Sequence, residues 1–397
     1  MLLFSYTAKD KVGKIVKGDV EAENESAAAK LLSSKELVPI SIAVKTEKTF
    51  SFLEKISMKE KVVIIRQLAT MINAGLPISQ SIKTLEEQVS KKNIKRILTS
   101  AYSDIEGGSQ LSVSLSRFPE TFSALDITLI ASGESSGNLD KALLRLADQL
   151  EKQQGLIRKI RSALIYPSFI ILVVVGVAAL MVIYVMPQME DLYSSFNAEL
   201  PLPTKILISI SHFAGRFAPF IIMILIGLAV YIRVAIRKPV GKKIWHKTKL
   251  NLWLVSSLLK KLYMARFART LAGLVSSGVP LLDSLSITSR SIGNVIYEEH
   301  LKNATKKVKS GVALSETVKN SELYTPVVSQ MIGVGEKTGE LDNMLENLAN
   351  YFEEEVDTAV KNISNLIEPI IIVTLAIVIG GMLVAIMMPI YSIGQVL

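Results

Sequence analysis

The residues best suited to proton transfer or metal ligation are three histidines, His212, His246 and His300, which stand in three separate regions of the chain. No two share helical or turn spacing, so they form no metal-ligand pair, and surface or interfacial places are expected for them. The 397 residues include no cysteine, which excludes disulfides, thiolate zinc sites, iron–sulfur clusters and thiol catalysis together. Gly333-Val-Gly335-Glu336-Lys337-Thr338 comes near a phosphate loop, but that loop needs Gly-x4-Gly-Lys-Ser/Thr after a strand, and Glu336 separates Gly335 from Lys337. No nucleophile and base can be placed together, so no enzyme activity, cofactor or metal is expected. What stands out is an acid that occurs twice in one setting. The two segments are Gly133-Glu134-Ser-Ser-Gly137-Asn-Leu139-Asp140 and Gly335-Glu336-Lys-Thr-Gly339-Glu-Leu341-Asp342. Gly137 and Gly339 fit left-handed turns between helices. Two roles are open for Glu134 and Glu336. Each could cap the helix that follows its turn and meet that helix's positive end. Alternatively each could dock a partner or bind an ion, and docking is expected in at least one copy because duplicated units diverge.

The two settings belong to a direct repeat. Arg66, Gly75 and Pro77 recur as Arg269, Gly278 and Pro280 at an offset of 203, as do Gly108, Leu111 and Ser112 in Gly311, Leu314 and Ser315. After a single-residue shift the acidic turns match, and Pro167 matches Pro369. An offset sustained over such a length is the mark of duplication. Within the first copy, Ser57 and Glu60 form a capping box, Gly75 is placed to end the first helix and Pro77 to open the second. The pattern predicts a bundle of about six antiparallel helices per copy, and a soluble fragment of the first is expected to be strongly helical.

The mean hydropathy of +0.38 is high for a soluble domain, and the excess lies in three blocks. Ser162 to Met189 carries no charge, and twelve of the 19 residues from Ser168 to Met186 are Leu, Ile, Val or Phe. At a few tenths of a kcal/mol each, they favour insertion by about 4 to 7 kcal/mol. Phe217 to Ile232 is shorter and bracketed by Arg216 and Arg233; the third block is uncharged from Pro369 onward. The N-terminal apolar run stops at Lys9, too early for a signal-peptide core. Arg233 to Lys261 holds nine Lys or Arg and no acid, which places it in the cytoplasm, where it is expected to meet anionic lipid rather than nucleic acid. The formal charge of +9 is thereby accounted for at a membrane surface.

The expected fold is mainly α: an integral membrane protein with two homologous cytoplasmic antiparallel bundles, three transmembrane helices and a small N-terminal α+β appendage. The expected division is 1–45 for the appendage, 46–56 for a linker, 57–162 for the first bundle, 163–187 for the first span and 188–215 for an extracytoplasmic loop. It continues with 216–233 for the second span, 234–261 for a basic cytoplasmic segment, 262–365 for the second bundle, 366–391 for the third span and 392–397 for an extracytoplasmic tail. Tyr166-Pro167 and Glu368-Pro369 mark the two membrane entries. Ala376 with Gly380, and Gly381 with Ala385, are small residues four apart; they suit close helix approach between subunits, packing against the first span, or lipid contact.

Two Arg-x-Leu-Ala…Gly-x-Pro units, each with Gly-Glu-x-x-Gly-x-Leu-Asp and a proline-led span, resemble the type II secretion system protein F and type IV pilus platform (PilC-like) family. The resemblance runs from about residue 57 to the end, and the N-terminal appendage is similar to the family's cytoplasmic start. It departs at Glu368, where the first copy has Tyr166. The resemblance implies a non-enzymatic inner-membrane platform that forms a homo-oligomer. It also implies contact with a hexameric cytoplasmic assembly ATPase, with pilin or pseudopilin subunits and with other inner-membrane machine components. The alternative is an oligomeric small-solute transporter or channel subunit; the absence of ionisable residues inside the spans counts against it.

Overall fold

The computed structural model describes residues 2–9, 15–22, 25–34, 38–44, 56–185, 187–188, 190–191, 202–319 and 321–394. They fall into two compact units, Met1–Lys55 and Ile56–Leu397.

The first unit is a three-stranded antiparallel sheet with one helix. Strands β1 (Leu2–Lys9) and β2 (Ile15–Ala22) pair from Leu2 opposite Ala22 to Lys9 opposite Ile15. Helix α1 (Glu25–Ser34) then leads to β3 (Val38–Val44), giving the order β2-β1-β3. The β1–β3 register slips between Thr7 and Ala8, where Pro39 in the edge strand has no N–H to offer. Ala8 and Leu32 are fully buried. The linker expected at 46–56 lies almost wholly outside the described residues.

The second unit opens with α2 (Met58–Asn73), α3 (Ile78–Gln88), α4 (Lys92–Glu106), α5 (Leu111–Ser116), α6 (Ala124–Ser135) and α7 (Leu139–Leu180). A π-helical stretch, Met181–Val185, extends α7. There follow α8 (Leu202–Ala235), α9 (Pro239–Asn251), α10 (Trp253–Ser276), α11 (Leu281–Ser291) and α12 (Val295–Lys309). Helices α13 (Leu314–Lys319), α14 (Pro326–Thr338) and α15 (Leu341–Gly394) complete the chain.

Helix α2 begins where expected. The Ser57 N–H donates to Glu60 at 2.9 Å and the Glu60 N–H to Ser57 Oγ at 3.3 Å, a reciprocal capping box. Lys91 and the Ser57 N–H draw the Glu60 carboxyl down to about 2, so the cap stays charged through the acidic range. At its far end the chain turns through Gly75, whose φ of 89° few side chains tolerate, and Pro77 stands at the N-cap of α3. Gly278 and Pro280 repeat that corner between α10 and α11.

Duplication is visible in the cores. Leu68, Leu98, Leu111, Ile130, Leu143 and Leu146 are buried in the first. Their repeat partners Leu271, Leu301, Leu314, Ile332, Leu345 and Leu348 are buried in the second. The two cores are not closed off from each other. Leu274 and Ile287, from α10 and α11, belong to the first core. Beside them Ser132 Oγ donates to the Ser277 carbonyl at 2.6 Å and Arg145 to the Ser276 carbonyl at 2.7 Å. A smaller cluster of Leu258, Leu262, Val356 and Ala359 receives Leu156 and Ile160 of α7, and Lys159 pairs with Asp357 across the same seam.

Helices run across several of the expected divisions. Helix α7 passes through Pro167 and α15 through Pro369, so 162/163 and 365/366 fall inside helices. A proline removes one i→i−4 bond, and the remaining bonds of these long helices carry them past it. The 188–215 segment, expected as a loop, is helical from Leu202 because α8 starts there. Within 234–261, α9 contributes Leu250 to the second core and leads into α10. Helix α15 runs to Gly394, into the stretch expected as a tail. Two helices among the described residues are long and apolar enough to cross a membrane, Leu139–Val185 and Leu341–Gly381, and no part of their most apolar windows is buried in the protein. In α8 the apolar stretch is shorter, Ile226–Ala235, and falls below that length.

Leu274 is fully buried in the first core although it belongs to the second copy. Leu274→Ala should therefore cost about 2 to 5 kcal/mol in denaturant titration of the detergent-solubilised chain, the usual loss for a core leucine. A cost below about 1 kcal/mol would mean that α10 does not close the first core.

Candidate functional site

The twice-occurring acidic turn is built from three constraints. The first is close approach. A Cβ on Gly133 would lie 2.3 Å from the Ala142 Cβ, and one on Gly335 would lie 2.8 Å from the Leu341 Cα, so only glycine lets α6 and α14 cross the helices that follow them. The second is chain reversal. Gly137 and Gly339 adopt φ of 68° and 77°, the left-handed conformation that ends each helix. The third is the start of the next helix, where Leu139 is buried, Leu341 is half-buried, and Asp140 and Asp342 occupy the first turn.

Glu134 and Glu336 cap a helix, but not the one expected. The Leu111 N–H donates to Glu134 at 2.5 Å and the Ser112 N–H at 3.2 Å, with the Ser112 hydroxyl as a third donor. In the second copy Leu314 donates to Glu336 at 2.5 Å, the Ser315 N–H at 3.2 Å and the Ser315 hydroxyl at 2.5 Å. The capped helices are α5 and α13, which precede the turn by more than twenty residues; Gln110 provides α5 with no side-chain cap. Spacing along the chain pointed to the following helix because it cannot show which N-terminus folds back onto the acid. With three donors on each carboxylate, both acids are engaged within the fold. The same contacts explain why Leu111-Ser112 and Leu314-Ser315 recur.

The repeated arginine has an equally definite role. Arg66 on α2 donates through Nε and Nη2 to the two oxygens of Glu151 on α7, at 2.7 and 2.8 Å, and also reaches Asp148. Glu151, then Asp148, raises the pKa of this guanidinium further. Arg269 on α10 donates to Glu353 at 2.7 Å and to Asn350 at 2.5 Å. Glu151 and Glu353 occupy equivalent repeat positions. Each copy therefore clamps its first helix to the long helix that continues into an apolar stretch, through a fork onto Glu151 in the first copy and through two separate partners, Glu353 and Asn350, in the second.

The other singled-out residues scatter. Tyr166, Glu368 and Pro369 are exposed, and Pro167 is buried within α7. Ala376 is exposed, and among the described residues a Cβ at Gly380 or Gly381 would meet nothing within 4 Å. Ala385 lies in α15, but its side chain is outside the described residues. His246 Nδ1 accepts from the Val295 N–H at 3.0 Å, and its pKa is lowered by burial and by Lys242 and Lys249. His300 stacks at 5.3 Å from the Tyr324 ring and is likewise lowered by burial. Part of the basic segment is spent internally: Lys243 pairs with Glu299 at 2.8 Å and Lys261 with Glu355 at 2.6 Å. No group of three His, Cys, Asp or Glu among the described residues could hold a metal ion.

Two features escaped the sequence reading. One is a second capping box, in which the Ser123 N–H donates to Asp126 at 2.5 Å while Asp126 also pairs with buried Lys61. Its signal, Ser-x-x-Asp before an apolar run, was available. The other is a cavity of about 490 Å³ at the junction of the copies, bordered by Lys61, Arg266, Arg269 and Arg290. No local pattern announces it, because its walls come from both repeats.

Residues 64–187 and 267–389 each match the family described as type II secretion system (T2SS), protein F, and residues 1–43 match that family's N-terminal domain. Over 395 residues the chain is 35% identical to the type IV pilus assembly protein PilC of Myxococcus xanthus, covering 98% of this chain and 95% of that protein. The PilC of Thermus thermophilus is 35% identical over 400 residues, 99% of this chain and 98% of the relative. The type II secretion system protein F of Pseudomonas aeruginosa is 31% identical over 404 residues, 100% and 99%. The two longer matched stretches coincide with the two copies of the repeat.

If Glu134 and Glu336 are caps, their loss should be felt as stability in both copies. Glu134→Ala and Glu336→Ala should each cost about 1 to 3 kcal/mol, the penalty for stranding partly buried donors, and the Gln variants less. Thermal melts of the full chain in detergent measure this. Unchanged melting for either Ala variant would return that acid to a binding role.

Proposed function

Because the chain belongs to the type II secretion system protein F family, we propose that it is the inner-membrane platform of a type IV pilus or type II secretion machine. In this reading it couples a cytoplasmic hexameric assembly ATPase to the addition of pilin or pseudopilin subunits, without chemistry of its own. The observation that carries the proposal is that each copy ends in one unbroken helix, α7 or α15, that begins in a polar bundle and continues into an exposed apolar stretch. Such a helix can carry a displacement of the bundle into the bilayer.

The proposed topology has three spans. The apolar parts of α7 and α15 form the first and third. Because both repeat units must face the same side, a return crossing is required between them, and the apolar part of α8 supplies it. The nine basic residues of Arg233 to Lys261 set the bundles in the cytoplasm, where those cations not paired within the chain meet anionic lipid. Gly380 and Gly381, where an added Cβ would meet nothing within 4 Å among the described residues, are placed for contact between subunits of a homo-oligomer, beside pilin subunits and other membrane components of the machine.

Single cysteines in this cysteine-free chain test the topology. Ser194→Cys should react with an impermeant maleimide from outside intact spheroplasts, and Lys247→Cys only after permeabilisation. The reverse pattern would overturn the orientation. For the coupling itself, the purified platform should retain its assembly ATPase in a pull-down, and separation of the two under all nucleotide conditions would count against it.

A further inference from the structure

The cavity between the copies carries more positive charge than its own acids answer. Four cations border it, Lys61, Arg266, Arg269 and Arg290, against two acids, Asp126 and Glu353. Lys61 is neutralised by Asp126, and Arg269 by Glu353 at 2.7 Å. Among the described residues, neither Arg266 nor Arg290 has a carboxylate partner. Arg290 is exposed at the rim, whereas Arg266 is half-buried on α10, where burial lowers its pKa. A guanidinium withdrawn from water without an acid is costly, so its retention calls for a cause.

The bundle architecture does not supply one. At the same offset of 203, the first copy has Val63 in place of Arg266 and Glu87 in place of Arg290, and it folds around an equivalent core. The corner beside Arg266 is shaped to admit it. Gly293 has φ of 84°, and a Cβ there would stand 3.1 Å from Arg266 Nη1. Leu150 and Ile157 from the first copy and Leu262 from the second also line it, beside the uncharged polar side chains of Gln149, Gln153, Thr270 and Ser291. A volume of about 490 Å³ lies within the range of small-molecule sites.

We propose that this cavity binds a small phosphorylated anion with an apolar part, its phosphate held by Arg266 and Arg290 and its apolar portion against Leu150, Ile157 and Leu262. Arginine's planar fork matches phosphate oxygens, and the unanswered charge in the cavity is of the sign such a ligand neutralises. Because both copies line the site, the ligand bridges them, and its occupancy sets how firmly the two bundles are held together. The site is separate from the basic segment and independent of the platform reading. The phosphate could arrive on a soluble metabolite or on a lipid headgroup, since Ile157 lies only a short way along α7 from its exposed apolar stretch.

The test uses the full chain in neutral detergent and phosphate-free buffer, followed by thermal unfolding. The soluble probes are inorganic phosphate, pyrophosphate and AMP. The lipid arm compares nanodiscs of phosphatidylglycerol with nanodiscs of phosphatidylcholine. The wild type should show a saturable rise in melting temperature with a soluble probe, which identifies a metabolite source, or with phosphatidylglycerol alone, which identifies a headgroup. Arg290→Gln, at an exposed position that should not disturb folding, should weaken the response at least tenfold in apparent Kd. Arg266→Met should abolish it while raising the melting temperature of the ligand-free protein, since an unanswered charge has been removed. The proposal fails if no probe shifts the wild type, if sodium chloride of equal ionic strength gives the same shift, or if both arginine variants respond as the wild type does.

Discussion

Hydrocarbon offers no partner to an unmade peptide hydrogen bond, and this constraint organises the chain. A stretch as apolar as the end of α7 is therefore kept helical through Pro167, and the helix that satisfies the constraint also runs back through the polar bundle. Everything cytoplasmic in the proposed platform hangs on two such helices. The Arg66–Glu151 fork and the Arg269–Glu353 bond fix the first helix of each bundle to them, and the glycine-glutamate turns fix the short helices α5 and α13 at their start. The repeated residues are thus concentrated on joints. They hold α7 and α15 to the bundles, as the proposed transmission of displacement requires.

Duplication reproduced the joints but left the junction between copies free to diverge. Ser132 of the first copy bonds to the Ser277 carbonyl, while its counterpart in the second copy, Val334, is exposed. Leu274 and Ile287 are borrowed by the first core. The unpaired arginines, Arg266 and Arg290, are likewise specific to the second copy. One pair of similar bundles thereby becomes an asymmetric body, with a cavity on the seam and different surfaces presented by each half.

The elements were legible because their signals are local. Ser57 with Glu60, Gly75 with Pro77, and Gly137 with its equivalent Gly339 each declare a helix boundary within a few residues. The partners of Glu134 were not legible, because α5 is distant in sequence and its return to the acid is a tertiary event. Pro167 was legible as the point where the chain turns apolar, and the helix runs through it because one missing N–H does not undo the bonds on either side. The basic segment was read by charge alone, and Leu250, whose burial ties α9 to the second core, gave no sign of it in a run of lysines. The cavity could not be read at all, since Lys61 and Arg266 come from different copies.

The central claim is that the two long helices leave the bundles side by side as parts of one body. Lys159 on α7 and Asp357 on α15 form an ion pair at that point. Lys159→Cys with Asp357→Cys, in membranes, should be joined by a short bis-maleimide within a single chain, seen as a cross-linked peptide from a species that migrates as monomer. Failure to cross-link while each cysteine reacts freely with a monofunctional maleimide would mean that the bundles are separate bodies, and the account of a rigid two-bundle platform would be wrong.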